Sequence, residues 1–193
     1  MKQQEVVGGY DVSAYTTERL YAISKDGVRI PISLVYKNST KKDGSAPLLL
    51  YAYGSYGYAI DPTFSSARLS LLDRDFIYAI AHIRGGEEMG RKWYEEGKMM
   101  NKINTFTDFI ACGHYLIDQK LTSIGHLYAQ GGSAGGLLMG AVANMEPQLW
   151  NGIIAQVPFV DVVNTMLDEG IPLTTNEYDE WGNPNDKEAY QYM

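Results

Sequence analysis

The 193 residues are 45% hydrophobic and 20% charged, with 20 Gly, 7 Pro and one Cys, which excludes a disordered, collagen-like or low-complexity chain and suits one hydrophobic core. Sixteen basic against 23 acidic residues give a net charge of −7, and no dense basic patch offsets it, so no nucleic-acid partner is expected. There is no apolar run of about 18 residues, no signal-peptide core after Met1, and no partner for Cys112 in an internal disulfide; the expectation is a cytoplasmic protein without a membrane partner.

Residues 1–18 are mixed and polar and read as a lead-in segment. Arg19–Ser24 and Val28–Tyr36 predict two strands around the turn Lys25-Asp26-Gly27, because Asp-Gly between β-rich runs signals a hairpin. Pro31 cannot donate to a ladder, which predicts an edge position there. After a polar loop, Leu48–Ala52, Phe76–Ala81, His126–Gln130 and Gly152–Val157 are short apolar runs, the pattern of strands buried on both faces of a parallel sheet. Helices are predicted over Ser65–Asp73, Asn104–Gln119 and from about Ala134 to Met145. In the second, Asn104 suits the N-cap, and Phe106, Phe109, Ile110, Leu116 and Ile117 form an apolar stripe. Strands alternating with helices predict an α/β fold with a mostly parallel sheet.

The third buried run leads into Gly131-Gly132-Ser133-Ala134-Gly135-Gly136. This is Gly-x-Ser-x-Gly between a strand and a helix, the context of a nucleophile elbow. A serine on so sharp a turn tolerates only small neighbours, and the helix behind it adds a dipole suited to developing negative charge. The alternative for these glycines is a phosphate-binding or merely close-packed turn. An oxyanion hole needs two donors. The Ala134 N–H is one candidate. The loop Tyr53-Gly54-Ser55-Tyr56-Gly57-Tyr58 follows the first buried strand and offers another, with Tyr53 either donating its hydroxyl or covering the core.

The charge is uneven. Residues 1–120 hold 15 Lys/Arg and 14 Asp/Glu, whereas residues 121–193 hold nine acids and only Lys187. Eight of those acids lie between Asp161 and Glu188. They form either a solvated acidic surface or a pocket for a cation.

Taken together, Tyr51–Gly57, Ser66–Asp73, Ile83–Gly90, Gly131–Leu138, Gln156–Val163, Leu173-Thr174-Thr175 and Glu180–Pro184 resemble the catalytic domain of the prolyl oligopeptidase family of serine peptidases. Within it they look like the oligopeptidase B branch. The resemblance runs from about Tyr10 to the end of the chain. It implies an α/β-hydrolase fold, incomplete here because the C-terminal strands and helices are missing. On this view residues 1–18 come from the side of a β-propeller, and residues 19–193 are the N-terminal part of the catalytic domain. It further implies an acyl-enzyme on Ser133, oxyanion donors from Tyr53 and Ala134, and cleavage of short peptides after Arg or Lys.

Position by position, Glu177 and Asp179 match paired carboxylates that hold the basic side chain, Asp179 being one methylene shorter than the usual Glu. Asp61 matches a carboxylate for a second basic residue, and Thr63 replaces its usual partner. Glu87 stands where a third Gly is common. No tryptophan matches the one that stacks on proline in prolyl oligopeptidases proper. A guanidinium takes planar, charge-assisted acceptors, and carboxylates at i and i+2 share a side if residues 177–179 are extended.

A serine nucleophile needs a base and an orienting acid, in the chain order Ser, Asp or Glu, His. His82, His114 and His126 all precede Ser133 and read as structural. The expectation is therefore a piece of a catalytic domain whose acid and base lie beyond Met193, with negligible turnover alone. Two other readings are an esterase on the same fold and a non-catalytic homologue that binds basic peptides. No cofactor or metal is expected. Without further strands, an open apolar sheet edge is also expected.

Overall fold

In the computed structural model, residues 6–193 are described; residues 1–5 of the lead-in segment lie outside them. The strands are β1 (Tyr15–Ile23), β2 (Arg29–Lys37), β3 (Leu48–Tyr51), β4 (Ile77–Ala81), β5 (Leu127–Gly132) and β6 (Gly152–Gln156). The helices are α1 (Ser66–Leu72), α2 (Arg91–Glu95), α3 (Ile103–Asp118), α4 (Ala134–Met145), α5 (Val162–Leu167), α6 (Tyr178–Trp181) and α7 (Lys187–Tyr192). One six-stranded sheet runs β1-β2-β4-β3-β5-β6. The last four strands in that order, β4, β3, β5 and β6, are mutually parallel, and β2 pairs antiparallel with both β4 and β1. The fold is the predicted α/β arrangement.

Alternation along the central strands sorts their side chains. Leu48, Leu50, Ile77, Ala79, Leu127 and Ala129 face α3 and α4, where Phe109, Cys112, Leu116, Leu138, Met139 and Val142 complete the main core. Leu49, Tyr78 and Ile80 point to the opposite face, under Leu72 of α1. Phe109 is fully buried and stacks on Trp150 with ring centroids 5.3 Å apart. Truncating such a ring to Ala costs about 3–5 kcal/mol. β6 pairs only with β5 among the described residues, and Ile154 and Val157 are exposed there. No helix among those residues is long and apolar enough to cross a membrane.

Two local expectations are corrected. β2 is an interior strand, not an edge. Pro31 is accommodated because pairing to β4 ends at Ile32↔Ala81, and beyond it the Pro31 carbonyl accepts the His82 N–H. Asn104 is not an N-cap. A short 3-10 turn, Met99–Asn101, feeds α3 through Lys102 in helical conformation, and the Asn104 side chain instead donates to the Glu96 carbonyl.

A buried ion pair fixes the hairpin to this frame. Arg84 follows β4 and forks onto Asp108 of α3, Nε to Oδ2 at 2.8 Å and one terminal nitrogen to Oδ1 at 2.6 Å. Its other terminal nitrogen reaches Asp26 in the hairpin turn at 2.7 Å.

Candidate active site

Parallel β3 and β5 are neighbours, with Tyr51 opposite Gln130. Their C-terminal ends therefore release two loops side by side at one edge of the sheet, where open α/β sheets place their sites. One loop begins with Tyr53 and the other is the turn at Ser133.

Ser133 sits at φ 55° and ψ −117°, a region strained for any residue with a Cβ. The surroundings over-determine it. Its N–H donates to Gln156 of β6, and its carbonyl accepts from Gly136 and Phe159. A Cβ on Gly131 would lie 2.1 Å from the Gly135 carbonyl oxygen, and one on Gly136 would lie 2.4 Å from Pro158 Cα. Only glycine allows the strand, turn and helix to close this tightly. Ser133 is exposed at the apex, and the Ala134 N–H at the start of α4 lacks an intrahelical partner, as first-turn amides do.

Tyr53 is half-buried beside the elbow. Burial raises its hydroxyl pKa, Glu180 adds to the rise, and the nearby Ser133 side chain opposes it. The phenol is thus protonated, and a donor, at neutral pH. Its ring packs on Tyr58 at 5.7 Å and Tyr56 at 6.3 Å between centroids. The loop is braced from beneath, since a Cβ on Gly85 would fall 2.1 Å from the Gly54 carbonyl oxygen. Gly85 thereby explains the Arg84-Gly85-Gly86 sequence; Glu87 beside it is exposed.

The segment after β6 folds back over this edge. Tyr53, Phe159, Tyr178 and Trp181 pack with Ala134 and Met166. Residues 174–181 are helical, a 3-10 turn (Thr174–Glu177) followed by α6, which corrects the extended reading of Glu177 and Asp179. In a helix, i and i+2 do not share a face. Glu177 turns inward, and its Oε2 accepts the Tyr56 hydroxyl at 2.7 Å and the Trp181 indole N–H at 2.8 Å. Its Oε1 accepts no hydrogen bond among the described residues. Asp179 is exposed, and the neighbouring Glu180 is the buried acid. Asp61 is exposed on the Tyr53 loop, with no bond to Glu177 or Ser133. Asp186 and Glu188 are solvated at the N-terminus of α7, where Asp186 accepts the Glu188 N–H.

None of the three histidines reaches Ser133. His82 is buried with Nε2 2.8 Å from Ser33 Oγ, His114 lies 3.7 Å from Glu146 on the surface, and His126 Nδ1 lies 2.9 Å from Ser123 Oγ.

Four residues escaped the sequence reading. Lys102, Glu180, Tyr94 and Tyr56 form a linked set under the site. Glu180 Oε1 accepts the Tyr56 N–H at 3.0 Å, and Oε2 accepts the Tyr94 hydroxyl at 2.8 Å. Lys102 Nζ donates to the Gly54 carbonyl at 2.7 Å and Ser55 Oγ at 2.6 Å, 3.6 Å from Glu180 Oε1. Burial pushes the Lys102 pKa down to about 8 and raises those of Tyr56 and Tyr94, each also held up by its glutamate. No local pattern signals Lys102, because its partners lie 47, 48 and 78 residues away.

A family model described as the prolyl oligopeptidase family matches residues 62–193. The chain is 58% identical over 192 residues to dipeptidyl aminopeptidase BI of Pseudoxanthomonas mexicana, covering 99% of this chain and 27% of that protein. It is 55% identical over 188 residues to protease 2 of Moraxella lacunata, covering 97% and 27%. Among solved structures, oligopeptidase B from Leishmania major superposes with a TM-score of 0.94 at 52% identity, over 96% of this chain and 26% of that one. Oligopeptidase B from Trypanosoma brucei with covalently bound antipain also gives 0.94, at 53% identity over 96% and 26%. The chain thus spans about a quarter of the length of these relatives. With more than half of its residues matched to the family model, the chain belongs to the prolyl oligopeptidase family.

Proposed function

We propose that the N-terminal part of an α/β-hydrolase catalytic domain, expected over residues 19–193, begins with β1 at Tyr15, and that the earlier residues of the 1–18 segment lead into it. In the complete enzyme this part supplies the nucleophile, the oxyanion donors and the cation pocket of a cytoplasmic serine peptidase. Ser133 Oγ attacks the scissile carbonyl and forms the acyl-enzyme. The Tyr53 hydroxyl and the Ala134 N–H receive the oxyanion. Glu177 Oε1 takes the arginine or lysine side chain before the scissile bond, so that short basic peptides are cleaved after that residue. Exposed Asp179 adds long-range negative potential. Asp61 faces a second basic residue further along the substrate.

The observation that carries this reading is the pairing of a strained, exposed Ser133 with a half-saturated Glu177 in one aromatic-walled site. A lone carboxylate oxygen among tyrosines and a tryptophan suits a guanidinium, by charge and by cation–π attraction. It does not suit an acyl chain, which argues against the esterase reading. The three histidines are engaged elsewhere, so general-base catalysis comes from outside these 193 residues. The isolated chain is accordingly expected to bind basic peptides with negligible turnover.

Calorimetry tests the pocket directly. A short peptide ending in argininol should bind at least tenfold more tightly than its citrullinol counterpart, which has the same shape without the charge. Glu177→Gln should erase the difference. Equal binding of the two peptides by the unmodified chain contradicts the proposal.

A further inference from the structure

The buried Lys102–Glu180 pair has no place in the chemistry above, yet three of its four side-chain hydrogen bonds run to Gly54, Ser55 and Tyr56 of the Tyr53 loop. Both side chains are almost fully enclosed, Lys102 at 6% and Glu180 at 3% exposure. Removing two charges from water is costly, and well-packed apolar residues often serve stability as well or better. The directions of the bonds give this pair a specific use.

Lys102 is rooted in the frame. It leads into α3, whose Thr105 Oγ1 donates to the Arg84 carbonyl at 2.8 Å. Its ammonium has three partners: it donates to the Gly54 carbonyl and to Ser55 Oγ, and Glu180 Oε1 stands 3.6 Å away as an ion-pair partner. The Trp181 ring covers the nitrogen at 5.0 Å from the ring centroid. Two of these partners belong to the residues directly after Tyr53. Glu180 works on the other half. It holds the Tyr56 backbone N–H, and the hydroxyl of the same Tyr56 holds Glu177. Trp181, next to Glu180, holds the same Glu177 oxygen. The Tyr94 hydroxyl fixes the remaining Glu180 oxygen.

We propose that Lys102 and Glu180 are a positioning pair that joins the Tyr53 loop to the Glu177 segment, so that the oxyanion donor and the cation pocket are set by one charge contact. The pair also neutralises itself, and Glu177 is left to face the incoming cation alone. The inference rests on the peptidase reading of the site.

Two ligands separate the two halves, and neither needs a general base. A peptide argininol reports on the pocket. The matching peptide argininal adds covalent capture: Ser133 Oγ bonds to the aldehyde carbon, the carbonyl electron pair moves to the oxygen, and the hydroxyl proton leaves through water. The ratio of argininal to argininol affinity therefore reads the oxyanion side alone.

Lys102→Met should lower that ratio at least tenfold while argininol affinity changes less than threefold. Glu180→Gln should lower both, because Tyr56 loses its charged anchor and the Lys102 charge beside the guest is no longer balanced. A merely structural fastening predicts a lower melting temperature with both readings within twofold of the unmodified chain, and that result overturns the inference. Should Lys102→Met fail to fold, Ser55→Ala and Tyr94→Phe each remove one partner. Each should lower the ratio about threefold, and an unchanged ratio in both is equally fatal. If the unmodified chain binds neither ligand, the peptidase reading falls and this inference with it. If it binds both and the variants match it, only the inference falls.

Discussion

Tyr56 and Glu177 are joined by a 2.7 Å hydrogen bond from the phenol to Oε2, although they are separated by 121 residues. Trp181 donates to that same oxygen at 2.8 Å. Two donors on one oxygen restrain the carboxylate and leave its other oxygen without a hydrogen bond among the described residues. A hydrogen bond to a charged acceptor is worth about 1.5–3 kcal/mol when buried. Tyr56 is 43% exposed, which places the effect near or below the low end. Tyr56→Phe should therefore weaken peptide argininol binding about fivefold by calorimetry, with citrullinol binding unchanged. Equal losses for both ligands would mean that the hydroxyl acts otherwise than by holding the Glu177 charge toward a cation.

The strain at Ser133 makes a stability prediction independent of any ligand. Glycine reaches φ 55°, ψ −117° without a Cβ clash, whereas alanine keeps it. Such strain costs on the order of 1–3 kcal/mol, partly offset by the extra freedom of glycine in the unfolded chain. Ser133→Gly should be more stable than Ser133→Ala by about 1 kcal/mol in urea unfolding. Equal midpoints would show that the turn is not strained.

Arg84 ties the hairpin turn to α3 through two acids of different burial. The Asp108 side chain is fully buried, while that of Asp26 is 49% exposed. Asp108→Asn leaves the Arg84 charge without its buried partner and should cost about 3–5 kcal/mol. Asp26→Asn should cost under about 1 kcal/mol, as exposed pairs do. Arg84 bonding lowers the Asp26 pKa from 3.8 to about 2. A depressed carboxylate contributes stability above its unfolded pKa and loses it as pH falls through its folded one. The Asp26 contribution should thus disappear between about pH 4 and pH 2, and acid titration of Asp26→Asn should lack that component.

Lys102 gives a pH signature in which stability and binding move in opposite directions. Burial lowers its pKa from 10.5 to about 8. Between these values the unfolded chain binds the extra proton, so this group's contribution to stability rises with pH. Over the same range the folded site loses its ammonium, and the argininal-to-argininol ratio should fall as pH passes about 8. Glu180, Tyr56 and Tyr94 also face this contact, but the phenols are pushed upward and remain neutral there. Lys102→Met should flatten the binding profile above pH 8. A profile that keeps its shape in this variant assigns the titration to another group.

The central strands, the hairpin and the three longer helices were legible in the sequence because each has a local cause: apolar runs, an Asp-Gly turn, an amphipathic stripe. Ser133 was legible for the same reason, since its glycines crowd into six consecutive positions. The segment after β6 was not. Its short helices carry little periodicity, so Glu177 and Asp179 read as an extended pair, and helical geometry instead turned Glu180 inward. Pro31 misled because the end of a ladder and the edge of a sheet both excuse a missing N–H. The N-terminus of α3 followed from the 3-10 turn before it, which no cap residue announces. Lys102 stood in an ordinary polar stretch, and only three-dimensional closure of the Gly54 loop and α6 onto it gives it a role.

The most direct test of the site is a carbon-13 spectrum of the chain with a peptide argininal labelled at the aldehyde carbon. A hemiacetal signal on the unmodified protein, absent in Ser133→Ala and strongly reduced for the citrullinal counterpart, is the predicted result. No Ser133-dependent adduct, or an adduct formed equally by the uncharged peptide, would contradict the pairing of Ser133 with a cation-binding Glu177.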